Sequence, residues 1–425
     1  MMIFLILPNK RFFDLFGKHK TSIFEEDFHY VRNMNMLDYL DWRGDLPFER
    51  DPFNEVDALI LSLISYYEFE QFYQVVTNVC GYTLAEYVKL HEDNVQIFGE
   101  IDKNIDIEND IVPRKTAPFV LCKAVKTERF ANIRIVDFRN IFDEERVIQF
   151  AAITFELSNG IRVVAYRGTD SSIIGWKEDC MLSYLREIPG QAEAVRYFNE
   201  SETGKKYYIV GHSKGGNEAL YTYIKMKEER VDDVVAVYNF DGPGFLDKIQ
   251  DTPRYLEGKE KIHTFVPSSS IVGMLLEHVK DYVAVKSQGF GIKQHNPLFW
   301  EVYRANLVKE IDNVWVRDVA EHTFSEFLKE MTLEERKFVT ENVFSIVSSC
   351  GAKSFAELYE HPFRNTKIIV ATYSKLPDEH KDKLIKASKL LGFSWASSYR
   401  FGLGEVKPTD KQPLLKPFFS LGKKK

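Results

Sequence analysis

The segment YYIVGHSKGGNEALY, residues 207–221, constrains this chain more than any other stretch. YYIV is a short apolar run of β character, and NEALYTYIKMK repeats its apolar residues with helical spacing. Between them stands Gly211-His212-Ser213-Lys214-Gly215. A Gly-x-Ser-x-Gly on its own is weak evidence. At a strand-to-helix junction it predicts a sharp turn that lifts the serine side chain clear of a sheet. Gly211 and Gly215 are then required, because a Cβ at either would collide with the neighbouring strand or helix. The start of the following helix adds partial positive charge.

The surrounding pattern sets the fold class. VIQFAAITFEL and IRVVAYRG are strand-like and are separated by Ser158-Asn159-Gly160, a strong hairpin signal. Further strand-like runs are KKYYIVG, DVVAVYNFDG, KIHTFVP and DYVAVKS, with helical runs between them. This alternation predicts an α/β fold, a mostly parallel sheet flanked by helices, and the serine turn at a strand-to-helix junction makes it one of the α/β-hydrolase kind. The early hairpin is expected at its antiparallel edge. IVGMLLEHVK reads as a helix or lid. Upstream, PFNEVDALILSLISYY reads as a helix capped by Asn54, with Asp57 completing the cap. Downstream, TLEERKFVTENVFSIVSSCG starts at Thr332 and ends at Gly351, and PDEHKDKLIKASKLLG ends at Gly392. The expected organisation is an N-terminal extension (1–30), an α/β domain (31–310), a helical C-terminal region (311–399) and a basic disordered tail (400–425).

A serine nucleophile needs a base, and the base needs an acid that fixes its tautomer. His295 lies in a loop after the last strand-like run, where such a fold carries its base, with His278 the second choice. His263 is placed inside a strand. The strand KIHTFVP is followed by Ser268, Ser269 and Ser270, with no carboxylate. Asp241, at the tip of the preceding strand and ahead of Gly242, is therefore the expected acid, at the carboxyl end where open α/β sheets bind ligands. Asp-Gly is also ordinary turn chemistry. Glu277 and Asp281 are the reserves. The oxyanion donors are expected to be the backbone N–H of Lys214 and, after the strand ending at Arg167, the N–H or hydroxyl of Thr169.

Composition narrows the alternatives. A net charge of −7 argues against nucleic acid. The four cysteines are widely spaced, without metal-ligand spacing, and read as reduced thiols. No metal or cofactor is implied. The apolar start MMIFLILPNKRFF has its basic residues after the apolar run, the reverse of a signal peptide. VDALILSLISYY is too short to cross a bilayer, so a cytoplasmic location is expected. The 33 Phe and 21 Tyr supply material for a core or a greasy pocket. The tail KPTDKQPLLKPFFSLGKKK interleaves Lys with Leu-Leu and Phe-Phe, which also suits weak contact with an anionic membrane surface.

YRGTDSSIIGW, VGHSKGG and QHNPLFW, in that order, resemble the class-three lipases. The match is closer to the Mbeg-like bacterial proteins, a family of unknown function in the α/β-hydrolase superfamily. NMLDYLDWRGDLPF, NFDGPGF, SSSIVGMLLEH and MTLEERKFV also resemble that family, over about residues 33–393. The resemblance implies roles for Ser213, His295, Thr169 and Lys214, and keeps Asp241 as a shared feature. One departure is Asn296, where the family usually has Asp. Two functional readings follow. The first is a serine hydrolase acting on a carboxylic ester of acyl-lipid-like kind, with thioester and peptide cleavage open. The second is an inactive scaffold on the same fold that binds a partner through its helical C-terminal region.

Overall fold

The computed structural model describes residues 34–69, 79–91, 113, 116–289, 291–310 and 314–402. The expectations for residues 1–30 and for residues 403–425 lie outside them.

Among the described residues, five helices precede the sheet: α1 (Met36–Arg43), α2 (Glu55–Ile64), α3 (Leu84–His91), α4 (Thr116–Ala124) and α5 (Glu128–Ala131). The α2 cap is the one its sequence predicts. Asn54 accepts the N–H groups of Val56 and Asp57, and Asp57 accepts the N–H of Asn54. From Val56 to Ile64 every residue of α2 is buried. A helix apolar on all sides belongs inside a protein, and among the described residues no helix is long and apolar enough to cross a membrane.

The seven strands are β1 (Arg134–Asp143), β2 (Ile148–Glu156), β3 (Arg162–Tyr166), β4 (Tyr207–His212), β5 (Val234–Phe240), β6 (Ile262–Pro267) and β7 (Val283–Val285). They lie in the sheet in sequence order. The pairs β1/β2 and β2/β3 are antiparallel, and all later pairs are parallel. The protein is thus a mixed α/β molecule with a mostly parallel sheet. The expected hairpin is β2/β3, but it is not the edge. β1 lies outside it, paired with β2 and, at its start, with residues 81–84.

Parallel crossovers are right-handed, so strands added always in one direction send their helices to one face. The chain follows this rule. From the crossovers, α6 (Ile173–Met181), α7 (Pro189–Glu200), α8 (Lys214–Lys225) and α9 (Pro253–Gly258), residues such as Ala194, Leu220 and Tyr255 pack with Val164, Ile209 and Val237. The opposite strand residues, Val163, Ala165, Val210 and Phe240, pack with Leu59, Ile60, Phe130 and Trp300. The N-terminal helices are therefore the second layer of the core.

Two further expectations are corrected, and one element that none anticipated appears. Residues 271–280 form a single 3-10 turn, Val272–Met274, and not a helix. Gly273 is held by Asp241, which accepts its N–H, and Leu276 has a positive φ of 62°. Residues 302–307 form a small hairpin, β8 (Val302–Tyr303) with β9 (Asn306–Leu307). The helix expected to end at Gly392 runs on to Gly402, past the expected start of the tail. One interior glycine costs a helix only about 1 kcal/mol, which a long helix absorbs.

That helix, α14 (Asp378–Gly402), follows α10 (Val314–Lys329), α11 (Leu333–Ser348), α12 (Phe355–Glu360) and α13 (Pro362–Ser374). Thr332 caps α11 as expected, with Glu335 closing the capping box. The C-terminal helices attach where Ile173 N–H donates to the Lys353 carbonyl and Phe355 N–H to that of Ser171. Ile173 and Trp176 pack there against Phe344 and Phe355.

A buried ion pair fastens the N-terminal layer. Arg129 donates to both oxygens of Asp57, at 2.8 and 2.6 Å, and to the carbonyls of Leu46, Asp51 and Pro52. Both side chains are fully buried. Arg129→Met leaves the Asp57 charge uncompensated and is expected to cost about 3–5 kcal/mol. Urea unfolding would register this as a lower midpoint, and an unchanged midpoint would refute the clamp.

Candidate active site

Ser213 stands between β4 and α8 with φ 60° and ψ −131°, a backbone conformation that L-residues rarely adopt. Its N–H donates to the Phe240 carbonyl on β5. The flanking glycines explain how the turn fits. A Cβ on Gly211 would lie 2.1 Å from the Gly215 carbonyl oxygen, and one on Gly215 would lie 2.1 Å from that of Tyr166 on β3. Only glycine allows helix and strands to approach so closely. Ser213 itself is half-buried.

Asp241 and His295 meet. Asp241 follows β5 with φ 51°, a value that Asp tolerates better than most residues. His295 closes a 3-10 turn, Gly291–His295, and its Nδ1 lies 2.6 Å from Asp241 Oδ2. Both are buried. An ionised carboxylate only accepts, so Nδ1 carries the proton and Nε2 keeps its lone pair. Asp241 is fixed further by the Ser270 hydroxyl, at 2.7 and 2.8 Å, and by the Gly273 N–H at 3.0 Å. The serine run that lacks a carboxylate thus supplies a donor to one. The His295 turn is braced by Gln294, which accepts from the Ser269 N–H and hydroxyl and donates to the Ser287 carbonyl.

The other candidates sit elsewhere. His263 is half-buried on β6 beside the Tyr238 ring. His278 is buried, with Nε2 3.1 Å from Lys280 Nζ. Glu277 is exposed and pairs through its backbone with Phe245. Asp281 forms an exposed ion pair with Lys259. Asn296, in the family's usual Asp position, caps the turn Pro297–Phe299 by accepting the Leu298 N–H.

Thr169 and Lys214 hang from consecutive residues of α6. The Thr169 hydroxyl donates to the Asp179 carboxylate, 2.8 and 2.7 Å from its two oxygens. The hydroxyl is therefore engaged, which leaves the Thr169 N–H as the donor this loop can offer. Lys214 sends its ammonium inward to Glu178 Oε2 at 2.8 Å and Gln149 Oε1 at 3.0 Å. Among the described residues, neither backbone N–H, of Thr169 or of Lys214, donates to a protein acceptor.

The electrostatics beneath the turn are unusual. Burial works against the Lys214 charge, yet Glu178, Glu218 and Asp179 hold its pKa above the ordinary lysine value. Burial pushes Glu218 well above the ordinary glutamate value, and among the described residues neither of its oxygens has a hydrogen-bond partner. Burial also raises Asp179, to about 6, against the pull of Lys214.

Sequence reasoning missed Tyr66, Gln149, Glu178, Asp179, Ser270 and Gln294. Most come from elements remote in sequence from the group they support, and Gln294, next to His295, shows its role only through its bonds to Ser269 and Ser287.

A family model described as Mbeg1-like matches residues 124–345, just over half of the chain. A solved structure titled as that of M37 lipase is similar over 51% of this chain and 68% of its own, at 16% identity and a TM-score of 0.31. Among curated proteins no relative matches.

The Asp179 pKa makes a signed prediction. A carboxyl at about 6 in the folded protein, against about 3.9 unfolded, binds more protons folded than unfolded between these values. Stability then falls as pH rises through that window, by about 2–3 kcal/mol in total. Asp179→Asn keeps an acceptor for Thr169 and removes the ionisation. Its stability relative to wild type should therefore be greater at pH 7 than at pH 4, measured by urea unfolding at both. A pH-independent difference would exclude the raised pKa.

Proposed function

The chain belongs to the Mbeg1-like family, and from that premise we propose that it is a serine hydrolase of α/β-hydrolase type acting on carboxylic esters. The observation that carries this reading is the buried His295–Asp241 bond of 2.6 Å together with the strained turn of Ser213. A buried carboxylate persists only where it is hydrogen-bonded, as Asp241 is to His295, Ser270 and Gly273, and strained backbone of this kind concentrates at functional sites.

In this reading Ser213 Oγ attacks the ester carbonyl carbon, and its proton passes to His295 Nε2. Asp241 keeps the proton on Nδ1 and stabilises the imidazolium. The carbonyl oxygen becomes an oxyanion held by the N–H groups of Thr169 and Lys214, each worth roughly 2.7–4 kcal/mol in the transition state. Collapse expels the alkoxide, which takes the proton from His295 and leaves an acyl-serine. Water, deprotonated by His295, then attacks the acyl carbon and restores Ser213. The reading extends to an acyl-lipid-like ester because of the chain's aromatic and aliphatic surplus.

The test is labelling by a fluorophosphonate, read by intact mass. Wild type should gain one adduct and Ser213→Ala none. Asp241→Asn should label about 10⁴-fold more slowly, since Asn holds the wrong tautomer, and His295→Ala should be similarly impaired. Folded wild type that stays unlabelled would remove the hydrolase reading and favour the inactive scaffold.

A further inference from the structure

Tyr66 lies just beyond α2 and outside the span that matches the family model. Its phenol nevertheless ends beside the nucleophile. The oxygen is 3.0 Å from His212 Nδ1 and 3.3 Å from the His212 carbonyl oxygen. It fills the notch left by Gly168, where a Cβ would stand only 1.9 Å from it. The Ser213 hydroxyl is a further hydrogen-bonding neighbour.

His212 has its second ring nitrogen, Nε2, 2.8 Å from the carbonyl oxygen of His295. A carbonyl only accepts, so Nε2 carries a proton. Burial, and then the neighbouring His295, hold the His212 pKa well below its ordinary value. The ring is therefore neutral, and Nδ1 is an acceptor that the Tyr66 O–H satisfies. The rings of His212 and His295 lie 4.5 Å apart, tilted by 36°.

We propose that Tyr66 and His212 are positioning residues for the base: Tyr66 locks His212 in its neutral Nε2–H tautomer, and His212 holds the His295 backbone while keeping an uncharged ring beside it. The proposal rests on the hydrolase reading. Asp241 steadies the His295 ring from one side, and His212 steadies its main chain from the other. When His295 takes the serine proton it becomes positive. A second imidazolium at this distance would oppose that step, so the neutrality of His212 matters to the rate.

The groups facing this pair are few. His212 meets Tyr66 and His295, with Asp241 behind the latter. Across the phenol, Asp179 and Glu218 act against its ionisation and Arg167 acts in favour, after the larger effect of burial. The phenol thus stays a neutral donor.

The test combines nitrogen-15 NMR of labelled histidines with fluorophosphonate labelling across pH. In wild type, His212 should show a protonated Nε2 and a hydrogen-bonded, unprotonated Nδ1. Tyr66→Phe keeps the ring and removes the donor that favours the neutral form. The titration of His212 should then move to higher pH, and the acid limb of the labelling rate should move with it. At neutral pH the rate should fall about three- to tenfold, the fold-change of one neutral hydrogen bond, with the probe's binding constant unchanged. Wild-type His212 protonated on Nδ1 overturns the proposal without recourse to any variant. So does a Tyr66→Phe protein that titrates and labels like wild type. Wild type with this tautomer that never labels overturns the hydrolase reading, and with it the catalytic role given to the pair.

Discussion

The handedness of parallel crossovers decides most of this architecture. Five strands, β3 to β7, follow one another in a single direction across the sheet, and right-handed connections deliver every crossover helix to the same side. The other side cannot be covered from within the strand–helix repeat. It must be covered by chain from outside it, and the N-terminal helices do so with α2, buried along nearly its whole length. The Arg129–Asp57 pair then ties this layer to the start of the sheet. A helix that serves as core also delivers Tyr66 to the edge of the candidate site, so packing and chemistry share one segment.

The turn at Ser213 is held from beneath as well as at its sides. A backbone so placed costs of order 1–3 kcal/mol and persists only when its surroundings over-determine it. Here Gly211 and Gly215 permit the contact with β3, and the Lys214 ammonium reaches Glu178 on α6 and Gln149 on β2. Asp179, the next residue of α6, holds Thr169. Two loops that would have to converge on one oxygen are thereby referenced to one helix. The arrangement concentrates three carboxylates around a single lysine, and the raised Glu218 and Asp179 are its electrostatic consequence. Such a cluster is a poor source of stability and a good source of fixed geometry.

Local signals were legible in the sequence. The strand, turn and helix around Ser213, the caps at Asn54 and Thr332, and the β2/β3 hairpin at Asn159-Gly160 are each written in consecutive residues. The pairing of Asp241 with His295 could be reached from strand order alone. What escaped depends on contacts across the fold. Residues 271–280 look helical, but Gly273 is pinned to Asp241, and that bond exists only once β5 and β6 are side by side. β1 was missed because its face alternates too weakly to announce a strand. Neither Tyr66 nor Asp179 is marked as a site residue by its neighbours in sequence. Their meaning lies in where α2 and α6 are placed.

Trp300 gives the site a built-in optical gauge. Its indole is fully buried, its N–H donates to the Gln294 carbonyl at 2.8 Å, and its ring meets Phe240 edge-on at 6.1 Å. Gln294 immediately precedes His295, and Phe240 immediately precedes Asp241. One fluorophore therefore touches the chain on both sides of the acid–base pair. With the other four of the chain's five tryptophans replaced, its emission would report the registration of two segments that must stay aligned, without an attached label.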